Sequence, residues 1–292
     1  MVDEITNLFC NIDDFCKIVK QNSPALLGSL NKRGPKSRLT MSEIMTIYTY
    51  YHSSGFKNFK AYYLFLYNCQ RSLFPNMVSY NRFVELIPTS MFMLLACLYS
   101  RMGKPSYNNF IDSTSVMVCK NKRIKRNKVF KDFAAIGKTS IGWFFGFKLH
   151  LMVNEYGELL AFTITPGNVS DTGPVAKMCK LFKIMGKIFG DKGYISSELF
   201  QELFEKGVQL FTGLRSNMKN KLMNFYDKIM LRKRAIIETI IDQLKNISDI
   251  EHSRHRSVFN FFSNMLGGLL AYTFKDKKPC IKLAGLRLIT PN

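Results

Sequence analysis

The sequence predicts an α/β protein, a mixed β-sheet flanked by helices and preceded by a helical amino-terminal region. Three observations point there. The 292 residues are 47% hydrophobic and 22% charged, enough apolar material for one large core or two modest ones. Apolar residues before Ser106 recur at helical spacing, whereas from Ser106 onward short runs of β-formers alternate with helical stretches. Those later elements follow the order βββαβαβα, which builds a sheet with helices over it.

In the first part, Thr40-Met41-Ser42-Glu43 has the form of a capping box, and Met41, Ile44, Met45, Ile47, Tyr48 and Tyr51 follow at helical spacing. Gly55 ends that helix, Phe59 to Cys69 makes a second, and Pro75 with Asn76 turns the chain into a third, from about Ser79 to Ile87. These helices suit either a helix-turn-helix unit, with Ser79, Tyr80, Asn81 and Arg82 opening the reading helix, or a plain helical bundle. In the second part, Phe110 to Met117 is a β-rich run. Trp143 to Val153 and Glu158 to Thr165 are two more, joined by the turn Asn154-Glu155-Tyr156-Gly157. A helix over Asp171 to Met185, a short strand over Lys187 to Gly190, a helix over Ser196 to Lys206 and a strand over Gln209 to Gly213 come next. A long helix over about Ile229 to Ile247 closes the series. This order is that of ribonuclease-H-like nuclease and integrase domains, although fold order alone does not establish chemistry; the expected division is into 1–105, a helical candidate DNA-binding region, and 106–292, the candidate catalytic domain.

Charge narrows the function. Lys plus Arg number 42 against 21 Asp plus Glu, a formal +21 that attracts polyanions. Of these, 12 basic and 6 acidic residues precede Ser106, while 30 basic and 15 acidic residues follow. Nucleic acid is the expected partner. No run reaches the eighteen or so apolar residues of a membrane span, and the acidic start Met-Val-Asp-Glu is unlike a secretory signal, so a cytoplasmic, nucleoid-associated protein is expected. The seven scattered cysteines read as small buried hydrophobes, with no paired spacing for zinc. Two segments concentrate charge, Lys120 to Lys138 and Arg215 to Arg234. The first supplies Lys122, Arg123, Lys125, Arg126 and Lys128 as expected phosphate contacts. Phe130, Phe133, Phe225 and Tyr226 lie among these charges, as rings do where bases stack beside a neutralised backbone.

Phosphodiester chemistry at neutral pH needs an activated water and a neutralised transition state, which carboxylate-held divalent ions provide. Asp112 lies inside the first strand, where an acid is costly unless exposed, paired or metal-bound. Asp191 follows Lys187-Ile188-Phe189-Gly190 at the strand's carboxyl end, where open α/β sheets bind ligands, although a turn or capping aspartate is the plainer explanation. On the last helix, at about 100° per residue, Arg234, Glu238, Asp242 and Lys245 share one face. Ile236, Ile237, Ile240, Ile241 and Leu244 occupy the opposite one. A solvated charged stripe has the same pattern; Arg234 and Lys245 flanking Glu238 suit a metal beside a phosphate, with Asp242 as the fallback ligand.

With Asp112 in IDST, the stretch GKTSIGWFFGFKLHLMVNEYGELLAFTITPGNVSD, Asp191 in DKGY and Arg234-x3-Glu238-x6-Lys245, the chain resembles the DDE transposases of bacterial insertion sequences, most closely the family numbered 982. The segment Leu39 to Tyr63 resembles that family's amino-terminal part, so nearly the whole chain is covered. The resemblance implies a ribonuclease-H-like domain that cuts element ends and joins the 3′-hydroxyl to target DNA with Mg²⁺ or Mn²⁺. Asp112, Asp191 and Glu238 would be the catalytic and metal-binding acids, and Arg234 and Lys245 the accompanying bases. It also implies terminal inverted repeats and target DNA as partners, no membrane, and a homo-oligomer on DNA. The spacings between acids, 79 and 47 residues, leave no room for a large insertion. Where related proteins carry tyrosine three positions before the arginine, this chain has Leu231.

Other residues are open to two readings. Asp171, with Asn168 in TPGNVSD, is most simply an N-cap, with support of the acidic site as the alternative. His252 and His255, among Arg254 and Arg256, suit a polar turn or phosphate contacts, and His150 a core or DNA-facing place. A structure-specific nuclease of the same fold, or an inactive DNA-binding protein, are the alternatives to a transposase.

Overall fold

Local sequence rules hold closely in the computed structural model, which describes residues 2–23, 37–140, 142–218, 222–251 and 255–281. The chain forms two units, each assembled from separate stretches. One comprises Met1–Arg101 with Gln243–Lys275, the other Met102–Asp242 with Asp276–Asn292.

In the first unit every regular element among the described residues is helical. Helix α1 (Val2–Asn22), which the periodicity had not suggested, has Asp3 and Glu4 in its first turn and Lys20 in its last, as the helix dipole favours, and buries Ile5, Leu8 and Ile12. The expected capping box forms at α2 (Met41–Tyr51): the Glu43 N–H donates to Thr40 Oγ1 at 3.2 Å, and the Thr40 N–H donates to Glu43 Oε2 at 2.7 Å. Helix α2 is buried almost all round, as its continuous apolar character requires. Asn58 caps α3 (Phe59–Cys69), and rings of Tyr48, Tyr51, Phe59, Tyr63 and Phe83 interlock at centroid separations of 4.8–5.8 Å. Ser79 caps α4 (Tyr80–Leu86), which has only seven residues, and a 3₁₀ turn, Ile87–Ser90, leads into α5 (Met91–Ser100). By length and composition Tyr80–Ser100 would suffice to cross a membrane, but Pro88 sits in the turn that breaks it.

The helix Val258–Thr273 also belongs to this unit and is buried along most of its length. A Cβ on its Gly268 would stand 2.3 Å from Ile250 Cγ2, so only glycine lets that segment lie so close. All seven cysteines are free thiols. Cys97, Cys119 and Cys179 are buried as expected, but Cys10, Cys69 and Cys280 are exposed, because their helical faces and loops point to solvent.

The second unit holds one mixed six-stranded sheet of β1 (Asn108–Cys119), β2 (Ala135–Lys138), β3 (Trp143–Asn154), β4 (Leu159–Pro166), β5 (Gly186–Gly190) and β6 (Val208–Thr212). The order is β2-β3-β1-β5-β6, with β4 also paired to β3. β1, β3 and β4 form the expected antiparallel meander, after which β5 adds parallel to β1 and β6 parallel to β5. Helices α6 (Val175–Leu181) and α7 (Ser197–Glu205) cover one face over Ile111, Met152, Ile188 and Leu210. On the other face Phe110, Phe189 and Phe211 stack at 5.6 and 5.3 Å. There α8 (Phe225–Lys233) packs on β5 and β6, tied by a Lys187–Asp227 ion pair of 2.6 Å and by Asn108 Nδ2 donating to the Tyr226 hydroxyl at 2.8 Å.

Three expectations are corrected. The long helix over Ile229 to Ile247 is two helices, α8 and α9 (Ala235–Asn246), because the backbone turns at Arg234. The helix expected over Asp171 to Met185 shrinks to α6, bounded by Pro174 and by Lys183 in a left-handed conformation with φ 51°. The basic stretch after β1 contains a 3₁₀ turn, Asn121–Arg126, and the short strand β2, too short and glycine-interrupted to register as strand periodicity.

Candidate active site

Strand register brings two of the expected acids together. Phe110 pairs with Phe189 across parallel β1 and β5, and Asp112 and Asp191 each lie two residues further along their strands. They therefore leave neighbouring strands at the same level, one strand spacing of about 4.8 Å apart. Asp112 keeps a side chain only 19% exposed. Its carboxyl accepts the Ser113 N–H at 2.8 Å, and its second oxygen lies 3.6 Å from the Arg234 guanidinium. Asp191 ends β5 and accepts the Gly193 N–H at 2.8 Å, which caps a short 3₁₀ turn; the turn role and the place beside Asp112 coexist.

Helix α9 supplies the third acid. Ile236, Ile237, Ile240 and Leu244 are buried and Glu238 faces outward, the division that helical geometry predicts. Arg234, at the junction of α8 and α9, donates to Glu238 Oε1 at 2.6 Å and pairs with Asp112, so one guanidinium bridges two of the three acids. Burial pushes the Asp112 carboxyl up to about 6, against the Ser113 N–H and Arg234, while the negative charges of Asp191 and Glu238 add to the rise. The charges that bear on Asp112 include those of Arg234, Asp191 and Glu238.

A second network, only half visible in the sequence, backs the first. Asp171 is not the cap of α6, whose N-cap is Pro174 without a side-chain bond. Instead Asp171 Oδ1 accepts from Ser113 Oγ at 2.7 Å and pairs with Lys148 at 3.0 Å. Its other oxygen would lie 3.5 Å from a Cβ placed on Gly193, next to Asp191. Tyr194 is buried among Asp112, Asp171 and Asp191, and burial followed by those charges pushes its phenol far up. His150, level with Ser113 on β3, has the core place: its Nε2 meets Thr165 Oγ1 at 2.9 Å, and burial lowers its pKa to about 4. Sequence spacing carries no sign of Lys148 meeting Asp171, because the pair depends on the β3–β4 register and on the path of the loop that follows β4.

The remaining expected residues are dispersed. Lys122, Arg123, Lys125, Arg126 and Lys128 are exposed on and beside the 3₁₀ turn after β1. Phe130, expected to stack on bases, is buried against Phe147 with centroids 6.2 Å apart, whereas Phe133 and Phe225 are exposed. Lys245 is engaged by Glu251 at 3.0 Å. His252 and Arg254 lie outside the described residues; His255 packs edge-on against Phe261. Among the described residues no group of three His, Cys, Asp or Glu is close enough to enclose a metal ion in this arrangement.

Fold and site thus define an α/β domain whose mixed sheet carries acidic residues at the edge of its central parallel strands. Residues 102–258, more than half of the chain, match the family described as transposase DDE domain, and the chain belongs to that family. It is a transposase, and DNA is its partner. No curated protein matches the chain.

Proposed function

We propose that the second unit is a ribonuclease-H-like catalytic domain that hydrolyses DNA at the ends of an insertion sequence and joins the freed 3′-hydroxyl to target DNA. Asp112, Asp191 and Glu238 are its catalytic acids. The observation that carries this reading is the interaction of these three carboxylates across two adjacent strands and α9, with Arg234 between two of them. Supporting it, an antiparallel meander continued by two parallel strands is the strand arrangement expected of such a domain.

The donor chemistry suits a divalent ion such as Mg²⁺ or Mn²⁺: carboxylate oxygens are its preferred ligands, and a cation would offset both the burial that chiefly raises the Asp112 carboxyl and the smaller repulsion from Asp191 and Glu238. Asp112, Asp191 and Glu238 would hold it. When bound, such an ion supplies Lewis-acid neutralisation of the phosphate and lowers the pKa of an attacking water. The chain's own groups supply the rest. The Ser113 N–H and the Lys148–Asp171–Ser113 network fix the Asp112 strand, and Arg234 offers a planar fork to a non-bridging oxygen. The exposed cations Lys122, Arg123, Lys125, Arg126 and Lys128 neutralise neighbouring phosphates, and Lys245, paired with Glu251, would do so on exchanging that partner for a phosphate. The helical residues 1–105 contribute further DNA contact, the active assembly on two DNA ends is a homo-oligomer, and a cytoplasmic setting on the nucleoid follows from that substrate.

Strand transfer of a pre-cut, labelled element end in Mg²⁺ tests the assignment. Glu238→Gln keeps shape and removes charge, and it should reduce joining by at least about a hundredfold, the cost of losing several kcal/mol of transition-state stabilisation. Joining at the wild-type rate would move the third acid elsewhere. Wild type that nicks DNA but never joins pre-cut ends would show a nuclease instead.

A further inference from the structure

The first unit contains a cleft of about 440 Å³ among Arg38, Tyr67, Arg71, Met77, Ser79 and Arg82, and we infer that it grips the sugar-phosphate backbone of a DNA strand independently of base sequence. The inference deepens the proposed function and rests on it, since it says how the helical unit holds the DNA on which the second unit acts.

Three arginines line this one concavity from different places: the approach to α2, the turn after α3 and the start of α4. No acid lines it among the described residues, although Arg82 leans on Glu85 at 2.8 Å just beyond. The Arg71 guanidinium sits over the Tyr67 ring, 4.6 Å from its centroid, a cation–π contact that holds it at this wall. The floor is equally firm. Met77 is buried, and the Tyr63 hydroxyl donates to the Val78 carbonyl at 2.7 Å, pinning the chain between them. Planar, pre-oriented guanidinium groups over a partly apolar floor match a phosphate diester with its deoxyribose, since the fork takes two phosphate oxygens and the sugar rests on carbon. Base reading by α4 is the poorer account. At about 1.5 Å per residue a seven-residue helix is only about 10 Å long, and Ser79 and Arg82 at its start line the cleft.

The test uses the full chain and two labelled duplexes of unrelated sequence, with binding followed by fluorescence anisotropy in EDTA across a range of salt. Binding in EDTA does not depend on the chemistry, so an enzyme that binds but fails to join DNA would count against the proposed function and leave this inference standing. In the double variant Arg38→Gln/Arg71→Gln, affinity should fall about tenfold or more on both duplexes, and the slope of log K against log salt should lose up to about 2 units, one per phosphate contact. Tyr67→Leu keeps both charges and removes the ring beneath Arg71; its loss should be smaller, with the slope little changed. Unchanged affinity and slope in a double variant that melts like wild type would overturn the inference. A loss confined to one duplex would also overturn it, in favour of base reading. If the double variant melts early, Arg71→Gln alone gives the same decision with about half the change in slope.

Discussion

Asp112 holds its charge at a cost. Its carboxyl titrates near 6 in the folded chain against an ordinary 3.8, chiefly through burial. The folded state therefore binds this proton more tightly than the unfolded state, and stability is lost as pH rises from about 4 to about 6. Asp112→Asn should thus be more stable than wild type at pH 7.5 in metal-free buffer, by about 2–3 kcal/mol in urea unfolding, with the gap closing below pH 4. A less stable variant at pH 7.5 would show that Arg234 contributes more than burial costs. Asp171 should behave in the opposite way. Its neutral replacement, Asp171→Asn, strands Lys148, whose side chain is only 13% exposed, and should cost about 2 kcal/mol. Adding Lys148→Met should restore part of that loss.

Elements differ in how legible they were. Helix α2 could be read to its first residue because Thr40 and Glu43 are local signals, and α3 because Gly55 and the ring spacing bracket it. The three meander strands were equally plain, since alternation and a tight turn act over a few residues. The break at Arg234 was not legible, as Ala235 and its neighbours are all compatible with continuous helix. Of the candidate site, the helix period placed Glu238 on the face opposite the isoleucines, as the structure has it. The level alignment of Asp112 with Asp191 and the place of Asp171 were not legible, because register between strands far apart in sequence leaves no periodic trace. Helix α8 shows what such long-range ties are worth. Lys187 and Asp227 are 14% and 6% exposed, so Asp227→Ala should destabilise the chain by about 3–5 kcal/mol. The double replacement Lys187→Met/Asp227→Leu should cost much less, and a thermal-unfolding cycle separates the two.

Across the whole molecule, a formal +21 should make association with any DNA strongly salt-dependent. With six or more phosphates engaged, affinity for a random duplex should fall about a thousandfold between 50 and 200 mM salt. A shallow slope would mean that most of the surplus charge never meets DNA. The discontinuous first unit makes a separate prediction. Ending the chain after Asn246 removes the helix Val258–Thr273, so amide hydrogens of α2 should lose their protection while those of β1 and β5 keep most of theirs.

That discontinuity also sets an order of events at the ribosome. Domains usually fold in the sequence in which they emerge. Here the amino-terminal helices must wait, since the helix that fills out their unit is made only after all six strands and α6 to α9 have left the tunnel. The helices translated first therefore wait through the synthesis of the whole sheet, and during that interval their buried aromatic faces are the part of the nascent chain most in need of a chaperone.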